Sequence, residues 1–238
     1  MTTAIILAGG LGTRLRGVLP DLPKPMAPVN GRPFLEHLMD YWIHQGVDAF
    51  ILSVGYKKEV IIDYFGSSYR SVPICYSVED ILLGTGGALL LAARGLTEPL
   101  IVLNGDTFFE VSLTELASFH KCKSADLSLS LFRTDDQQRF GGVGLDESGA
   151  LNSLSGESRG PQTLANGGTY FMCPKLLANA GCATGEACSF EKDLIPKFLA
   201  QGRKVFGTPF AGRFIDIGIP SDFMKAASVL KGSEGLQC

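Results

Sequence analysis

The segment that most restricts the fold is an apolar run near the N-terminus, AIILA at residues 4–8, which a glycine-rich stretch follows at once. The run is continuously apolar and contains β-branched residues, which is typical of a strand buried on both faces of a parallel sheet. Gly9, Gly10 and Gly12 come next, and glycine allows a ligand to approach the main chain closely. The segment therefore predicts a buried parallel strand that ends in a turn open to a ligand.

Strand and helix patterns alternate through the rest of the first half. The predicted strands are 4–8, 49–54, 72–79 and 99–106. The predicted helices are 32–46, 57–65 and 86–96. This alternation indicates β-α-β units and an α/β fold with a mostly parallel sheet. Ligands in such sheets bind beyond the carboxyl ends of the strands, so we expect the segments LAGG and LNGD to face one crevice.

After residue 112 the strand and helix patterns no longer alternate regularly. Strands and turns are predicted at 124–134, 141–146, 149–158, 164–172 and 210–218. Helices are predicted at 190–202 and at 221–230, the second capped by Ser221. Because no repeat or linker interrupts the chain, the sequence favours a single α/β domain over 1–238, with a second half that faces the substrate.

Composition excludes several classes of protein. The chain has 238 residues, of which 45% are hydrophobic, enough for a sizeable core. A net charge of −3 gives no footprint for non-specific nucleic-acid binding. The sequence shows neither a signal peptide nor an apolar run long enough to span a membrane. The six cysteines form no C-x-x-C pair, which is typical of reduced thiols. We therefore predict a cytoplasmic protein that binds neither nucleic acid nor membrane.

The glycine turn is suited to phosphate, since successive backbone N–H groups can hold phosphate oxygens. It is neither a dinucleotide fingerprint, because Leu15 stands where the third glycine would be, nor a Walker loop, because no Gly-Lys-Ser/Thr follows. Two cations lie nearby. Arg14 can chelate phosphate with its planar fork, and Lys24, restricted by the following Pro25, can act as a compact charge.

The segments LAGGLGTRL (7–15) and KPMAPVNGRPFLEH (24–37) together resemble the signature of the sugar-phosphate nucleotidyltransferases. Enzymes of that family join a nucleoside triphosphate to a sugar 1-phosphate and release pyrophosphate. The resemblance implies a Rossmann-like mixed sheet flanked by helices, of the nucleotide-diphospho-sugar transferase type. It also implies a nucleotide-binding half at about 1–112 and a sugar-phosphate-binding elaboration at about 113–238.

Further motifs narrow the resemblance. LGTGGA, VLNGDTFF, NGGTYF, SFEKD and FIDIGIP are most similar to those of short bacterial heptose 1-phosphate guanylyltransferases. This branch implies GTP and D-glycero-D-manno-heptose 1-phosphate as the partners of the reaction, in the service of surface polysaccharide synthesis. A homo-oligomer is left open.

The resemblance also implies roles for individual residues. It assigns nucleotide binding to Leu7, Ala8, Gly9, Gly10, Gly12, Thr13, Arg14, Lys24, Glu79, Gly84, Thr85 and Gly86. It assigns sugar-phosphate binding to Asn104, Gly105, Gly142, Glu157, Asn166, Gly167 and Gly168. Arg14, Lys24 and Asp106 are the implied catalytic residues, and Asp106 and Asp216 would hold Mg²⁺.

One position departs from the family pattern. The family often has a lysine directly after the first sugar-binding glutamate, whereas Ser158 follows Glu157 here. Either Arg159, Lys192 or Arg213 supplies the missing charge on the sugar phosphate, or the phosphate is bound more weakly than in the family.

Three alternatives stay open at this point. The chain could use UTP, dTTP, CTP or GTP with a hexose or amino-sugar 1-phosphate, mannose 1-phosphate among them. A catalytically silent regulator that binds nucleotide sugars is disfavoured because Arg14, Lys24, Asp106 and Asp216 are all present. A dinucleotide-dependent oxidoreductase is disfavoured by Leu15 and by the lack of a suitable acidic residue after a second strand.

Overall fold

The N-terminal apolar run forms a strand inside an eight-stranded sheet in the computed structural model, which describes residues 2–15, 17, 19–154, 163–182 and 185–231. The strands are β1 (Thr3–Leu7), β2 (Pro28–Val29), β3 (Arg32–Pro33), β4 (Ala49–Val54), β5 (Ser68–Tyr69), β6 (Val72–Val78), β7 (Leu100–Asn104), β8 (Thr107–Phe109), β9 (Leu127–Thr134), β10 (Gly144–Leu145), β11 (Leu151–Ser153), β12 (Thr163–Met172), β13 (Val205–Pro209) and β14 (Phe214–Asp216).

Helices lie between most of these strands. They are α1 (Phe34–His44), α2 (Lys58–Phe65), α3 (Gly84–Ala92), α4 (Leu113–Lys123), α5 (Gln137–Phe140), α6 (Ile195–Ala200) and α7 (Pro220–Leu230). Short 3₁₀ turns occur at Thr13–Leu15, Lys24–Met26 and Pro174–Asn179, and a π-helical turn at Phe190–Leu194 leads into α6. Within the described ranges no helix is long and apolar enough to cross a membrane.

The large sheet has the order β13-β9-β12-β7-β1-β4-β6-β5. Strand β1 pairs in parallel with β4 and β7, and β4 with β6. Strand β12 is antiparallel to both β7 and β9, while β13 is parallel to β9. The predicted mixed, Rossmann-like sheet is confirmed, and the parallel strands β1, β4, β6 and β7 come from the first half of the chain.

The sheet is buried on both faces, as the apolar run of β1 predicts. Ala4 and Ile6 belong to the core beneath α1, where Trp42 is fully buried. Ile5, between them in sequence, belongs to the opposite core beneath α3 and α6. This alternation is the two-residue period of a strand.

The second half differs from expectation in several places. Helix α4 was not predicted, although Ser112 caps it and its hydroxyl accepts from Glu115 N–H at 3.3 Å, the capping-box pattern. The helix predicted at 190–202 begins as a π-helical turn and ends at Ala200. Ser221 is not a cap, because the helix already starts at Pro220, a favoured first position for proline. Strand β13 was also missed, and the predicted strand at 149–158 is described only to residue 154.

Candidate active site

The glycine loop begins where β1 ends. Leu7 is the last residue of β1, in register with Asn104 at the end of β7, so the segments LAGG and LNGD lie side by side as predicted. The loop continues into the 3₁₀ turn that carries Arg14, whose side chain is exposed. Gly12 has φ +57°, and a Cβ there would lie 3.2 Å from Lys24 Cβ. Glycine is therefore required at position 12 both for the backbone and for the approach of the lysine.

A cavity of about 490 Å³ opens above these strand ends. Fourteen of the predicted site residues line it, namely Leu7, Ala8, Gly9, Gly10, Gly12, Thr13, Arg14, Lys24, Glu79, Gly84, Thr85, Asn104, Gly105 and Asp106. Five further lining residues were not predicted, namely Leu11, Pro25, Leu82, Ala88 and Gly218. Its volume falls in the range of small-molecule sites.

Lys24 and Asp106 form the charged end of the cavity, and Asp216 lies beside Lys24 without lining the cavity. The ammonium group of Lys24 contacts the carboxylate of Asp106 directly and lies 3.9 Å from that of Asp216. Asp106 and Asp216 are brought together by the antiparallel pair of β8 and β14, in which Asp216 is in register with Thr107. Two acids separated by more than a hundred residues in sequence thus share one cation.

The electrostatics of the pair match a site for a divalent cation. Burial, with the neighbouring charge of Asp106, raises the pKa of Asp216, whereas Lys24 opposes that shift. Among the described residues, no three or more His, Cys, Asp and Glu side chains converge to hold a metal. Two carboxylates suffice for Mg²⁺, which usually combines one or two of them with substrate phosphates and water. The residues present therefore fit this ion.

Glu79 forms the opposite end of the cavity, beyond β6. Its carboxylate is 8% exposed and accepts from Leu83 N–H at 3.0 Å and from the Ser53 hydroxyl at 3.3 Å. Burial raises the pKa of Glu79, and both hydrogen bonds oppose the shift. Gly9 makes room for this carboxylate, because a Cβ there would lie 2.3 Å from Glu79 Oε1.

Helix α3 starts within the predicted nucleoside loop. Gly84 and Thr85 line the cavity, but Gly86 does not. The Gly86 N–H donates to the Cys188 carbonyl at 2.8 Å, so the second half of the chain covers the first turn of α3. The contact with Cys188 therefore holds the loop in place, and Gly86 contributes to this packing and does not line the cavity.

The predicted sugar-binding residues are only partly gathered at the cavity. Asn104 and Gly105 line it, whereas Gly142, Asn166, Gly167 and Gly168 do not. Glu157 lies outside the described residues, as do Ser158 and Arg159. Gly168 packs on Asn104, since a Cβ at residue 168 would lie 3.0 Å from Asn104 Nδ2.

A partly buried hydrogen-bond network, which was not predicted, connects the two groups of residues. The Glu191 carboxylate accepts from the hydroxyls of Thr85 at 2.9 Å and Tyr170 at 3.1 Å. The Tyr170 oxygen accepts from Asn166 Nδ2 at 2.7 Å. Glu191 lies within the motif SFEKD, and the Ser189 cap that opens its turn is the sequence signal that could have drawn attention to it.

Of the candidates for the missing sugar-phosphate charge, Arg213 is committed elsewhere. Its guanidinium pairs with the Glu110 carboxylate at 2.5 Å and donates to the Val229 carbonyl at 2.6 Å. These contacts join β14 to α7. Lys192 stays a candidate.

Comparison with known proteins agrees with this geometry. Residues 3–232 match the nucleotidyl transferase family. The chain is 41% identical to a D-glycero-alpha-D-manno-heptose 1-phosphate guanylyltransferase of Aneurinibacillus thermoaerophilus, over 96% of this chain and 98% of the relative. It is 40% identical to the Campylobacter jejuni protein of the same name, over 92% and 96%.

A solved structure extends the likeness to three dimensions. The crystal structure of HddC from Yersinia pseudotuberculosis complexed with GMP-PN superposes with a TM-score of 0.84 at 36% identity, covering 97% of this chain and all of that one. The glycine loop, the paired acids and these likenesses together show that the chain belongs to the nucleotidyl transferase family.

Proposed function

We propose that this protein transfers GMP from GTP to D-glycero-D-manno-heptose 1-phosphate, giving a GDP-heptose and pyrophosphate. The observation that carries the proposal is the convergence of Arg14, Lys24 and Asp106 on one cavity, with Asp216 beside Lys24. The choice of substrates draws support from relatives at 40% identity and above, which are heptose 1-phosphate guanylyltransferases by name.

The nucleoside end of the cavity favours guanine. A carboxylate can only accept hydrogen bonds, and guanine offers two adjacent donors, N1–H and the N2 amino group. Glu79 is the acceptor at that end, held in place by Leu83 and Ser53. Leu11 and Leu82, 36% and 46% exposed, also line the cavity and supply apolar surface for the faces of a purine.

The reaction needs positioning and charge neutralisation. An oxygen of the sugar phosphate attacks the α-phosphorus of GTP, a new P–O bond forms, and the bond to the β-phosphate oxygen breaks. The bond's electron pair leaves with pyrophosphate. Arg14 and the amides of the glycine loop bind the β- and γ-phosphates, and Lys24 stabilises the charge that grows at the α-phosphate. Preorganised cations are well suited to this task, because the nucleophile is already ionised.

Members of this family typically use a divalent metal, and we propose Mg²⁺ held by Asp106 and Asp216. The ion would neutralise phosphate charge and help to align the two phosphates. Lys24, whose ammonium group lies beside both carboxylates, would place its charge next to the same phosphates.

The second half of the chain provides the sugar side. We assign hydroxyl binding to Glu157 and Asn166, and main-chain contacts to Gly142, Gly167 and Gly168, next to Asn104 and Gly105 of the cavity. The division into a nucleotide half (1–112) and a sugar-phosphate half (113–238) within one domain belongs to this proposal. A cytoplasmic location stays a prediction.

The test is pyrophosphate release from a panel of triphosphates and sugar 1-phosphates, with and without Mg²⁺. We expect the highest kcat/KM with GTP and the heptose 1-phosphate, and no turnover after the metal is chelated. Higher kcat/KM with mannose 1-phosphate, or with UTP, dTTP or CTP, would transfer the assignment to another substrate pair. No release with any pair would contradict the enzyme assignment itself.

A further inference from the structure

Strand β12 is irregular between Asn166 and Tyr170. While β12 advances from Asn166 to Tyr170, its partner β9 moves only from Leu131 to Leu129. Extra residues in one strand of a pair redirect side chains and are common beside active sites. Here the irregularity places Asn166 Nδ2 2.7 Å from the Tyr170 hydroxyl oxygen.

Glu191 determines the direction of the hydrogen bonds that Tyr170 makes. Because a carboxylate only accepts, Tyr170 must donate its single hydroxyl proton to Glu191. Its oxygen is then an acceptor, so Asn166 must turn its Nδ2 towards it. Asn166 Oδ1 accepts from Gly168 N–H at 3.1 Å, which is consistent with that orientation. One N–H of Asn166 and one lone pair of its Oδ1 are left for a ligand.

The same carboxylate determines the orientation of Thr85 on the nucleoside side. The Thr85 hydroxyl donates to Glu191 and accepts from Phe190 N–H at 2.8 Å. Glu191 and Phe190 belong to the π-helical turn, a distortion that is frequent at functional sites. Tyr170 is fully buried, so its hydroxyl depends on partners within the protein. The network is therefore a relay of hydrogen bonds from the cavity wall to Asn166.

We propose that Glu191 and Tyr170 are positioning residues that hold Asn166, on the sugar side, and Thr85, on the nucleoside side, in one fixed pattern of donors and acceptors. The inference rests on the proposed function, because Asn166 must bind a sugar hydroxyl for its orientation to matter. Neither positioning residue need touch substrate. Without the relay the Asn166 amide could turn over and exchange its donor for its acceptor.

The test is a double-mutant cycle on the complete enzyme, with KM measured separately for GTP and for the heptose 1-phosphate. Tyr170→Phe keeps the ring and removes the relay to Asn166, but leaves the bond between Thr85 and Glu191. We expect the KM for the sugar phosphate to rise about tenfold, with the KM for GTP unchanged. Added to Asn166→Ala, the same change should have no further effect, because Tyr170 acts through Asn166.

Ser189→Ala is the matched control. It removes a hydrogen bond to the same carboxylate, at 3.3 Å, and the cap on the π-helical turn, but it touches neither Tyr170 nor Asn166. We expect it to lower the melting temperature and leave both KM values unchanged. If the role of Tyr170 were merely structural, Tyr170→Phe would likewise lower the melting temperature and leave both KM values unchanged.

The outcomes separate the two proposals. A wild-type enzyme that releases no pyrophosphate with any pair overturns the proposed function and this inference with it. A working wild type with an unchanged sugar-phosphate KM in Tyr170→Phe, or with additive effects in the cycle, overturns the relay alone. If Tyr170→Phe does not fold, Glu191→Gln replaces it. A higher KM for both substrates then supports the relay, and unchanged values overturn it.

Discussion

The charge cluster of Lys24, Asp106 and Asp216 and the relay of Thr85, Glu191, Tyr170 and Asn166 reach the same cavity, the first through Lys24 and Asp106 and the second through Thr85, but their groups are paired in opposite ways. In the charge cluster two acids compete for one cation, and the pKa of Asp216 is raised by its burial and by Asp106. In the relay the Glu191 carboxylate and the hydroxyls of Thr85 and Tyr170 are already hydrogen-bonded to other groups of the protein. The cluster is arranged for groups that arrive with the substrate, whereas the relay leaves only part of the Asn166 amide for them.

This contrast predicts that the charge cluster matters mainly for activity and the relay mainly for stability. Removing one acid from the cluster should abolish most turnover with little effect on folding, since the two acids repel each other and the remaining acid still lies beside Lys24. Breaking the relay should destabilise the fold, since it leaves buried groups without partners.

The largest expected effect is that of Asp106→Asn. It keeps the shape of the side chain but removes the charge that pairs with Lys24, and we expect kcat to fall about 10²- to 10³-fold. Steady-state pyrophosphate release measures this, and the melting temperature should stay near that of the wild type. Asp21→Asn, at an acid that is 94% exposed, is the control. Near-normal turnover in Asp106→Asn would remove this residue from the mechanism.

Glu191→Ala tests whether the relay stabilises the fold. It leaves the hydroxyl of the fully buried Tyr170 without an acceptor, and we expect the free energy of unfolding to drop by about 1–3 kcal/mol. Denaturant titration measures the change. Glu59→Ala, at an exposed glutamate in the first turn of α2, should have an effect within about 0.5 kcal/mol. Equal effects of the two variants would mean that the relay contributes nothing to folding.

Glu79→Gln tests the nucleoside end. Because Gln adds a donor where guanine also donates, we expect the preference for GTP over other triphosphates to fall about tenfold. In the wild type the KM for GTP should rise as the pH falls towards the raised pKa of Glu79, and the variant should lose this dependence. Competition between GTP and UTP at several pH values measures both effects.

The stability effect of the same substitution has a definite sign. Burial places the pKa of Glu79 in the folded chain above its ordinary 4.5, so the folded chain holds the proton more tightly than the unfolded chain does. The contribution of Glu79 to stability is therefore present below pH 4.5 and is lost as the pH rises through the folded pKa. Glu79→Gln should leave the protein at neutral pH as stable as the wild type, or more so. A less stable variant would contradict this sign.

The smallest expected effect is that of Gly218→Ala. A Cβ at residue 218 would lie 2.7 Å from Asp216 Oδ1 and 3.1 Å from Lys24 Nζ, both at the ends of side chains that can shift. We expect kcat to fall about three- to tenfold from this displacement, with little change in melting temperature. Gly17→Ala, where a Cβ would meet no atom of the described residues within 4 Å, should leave kcat unchanged.

The sequence predicts the nucleotide side of the molecule better than the sugar side, for a physical reason. Strands such as β1 and β4 are buried on both faces and bounded by turns or amphipathic helices, so their signal is local. Helix α4 has weak amphipathic contrast, and only its capping box, Ser112 to Glu115, marks its start.

Other features depend on tertiary contacts that no local pattern encodes. The irregularity at Asn166 depends on pairing with β9, and Glu191 acts through residues that lie 21 and 106 positions away. Motif resemblance singled out Asn166 and Thr85 but not the residues that orient them. A positioning residue has no chemical signature of its own, whereas a phosphate loop does.

The pairing of β14 with β8 has a consequence for how such an enzyme can diverge. Asp216 is in register with Thr107, and Ile217 N–H donates to the Asp106 carbonyl at 3.0 Å, so the spacing of the two acids is determined by a ribbon of three residue pairs outside the eight-stranded sheet. Descendants can exchange interior side chains, and lose or gain thermal tolerance, without altering this spacing. A shift of one residue in the register of the ribbon would abolish the reaction in an otherwise intact protein.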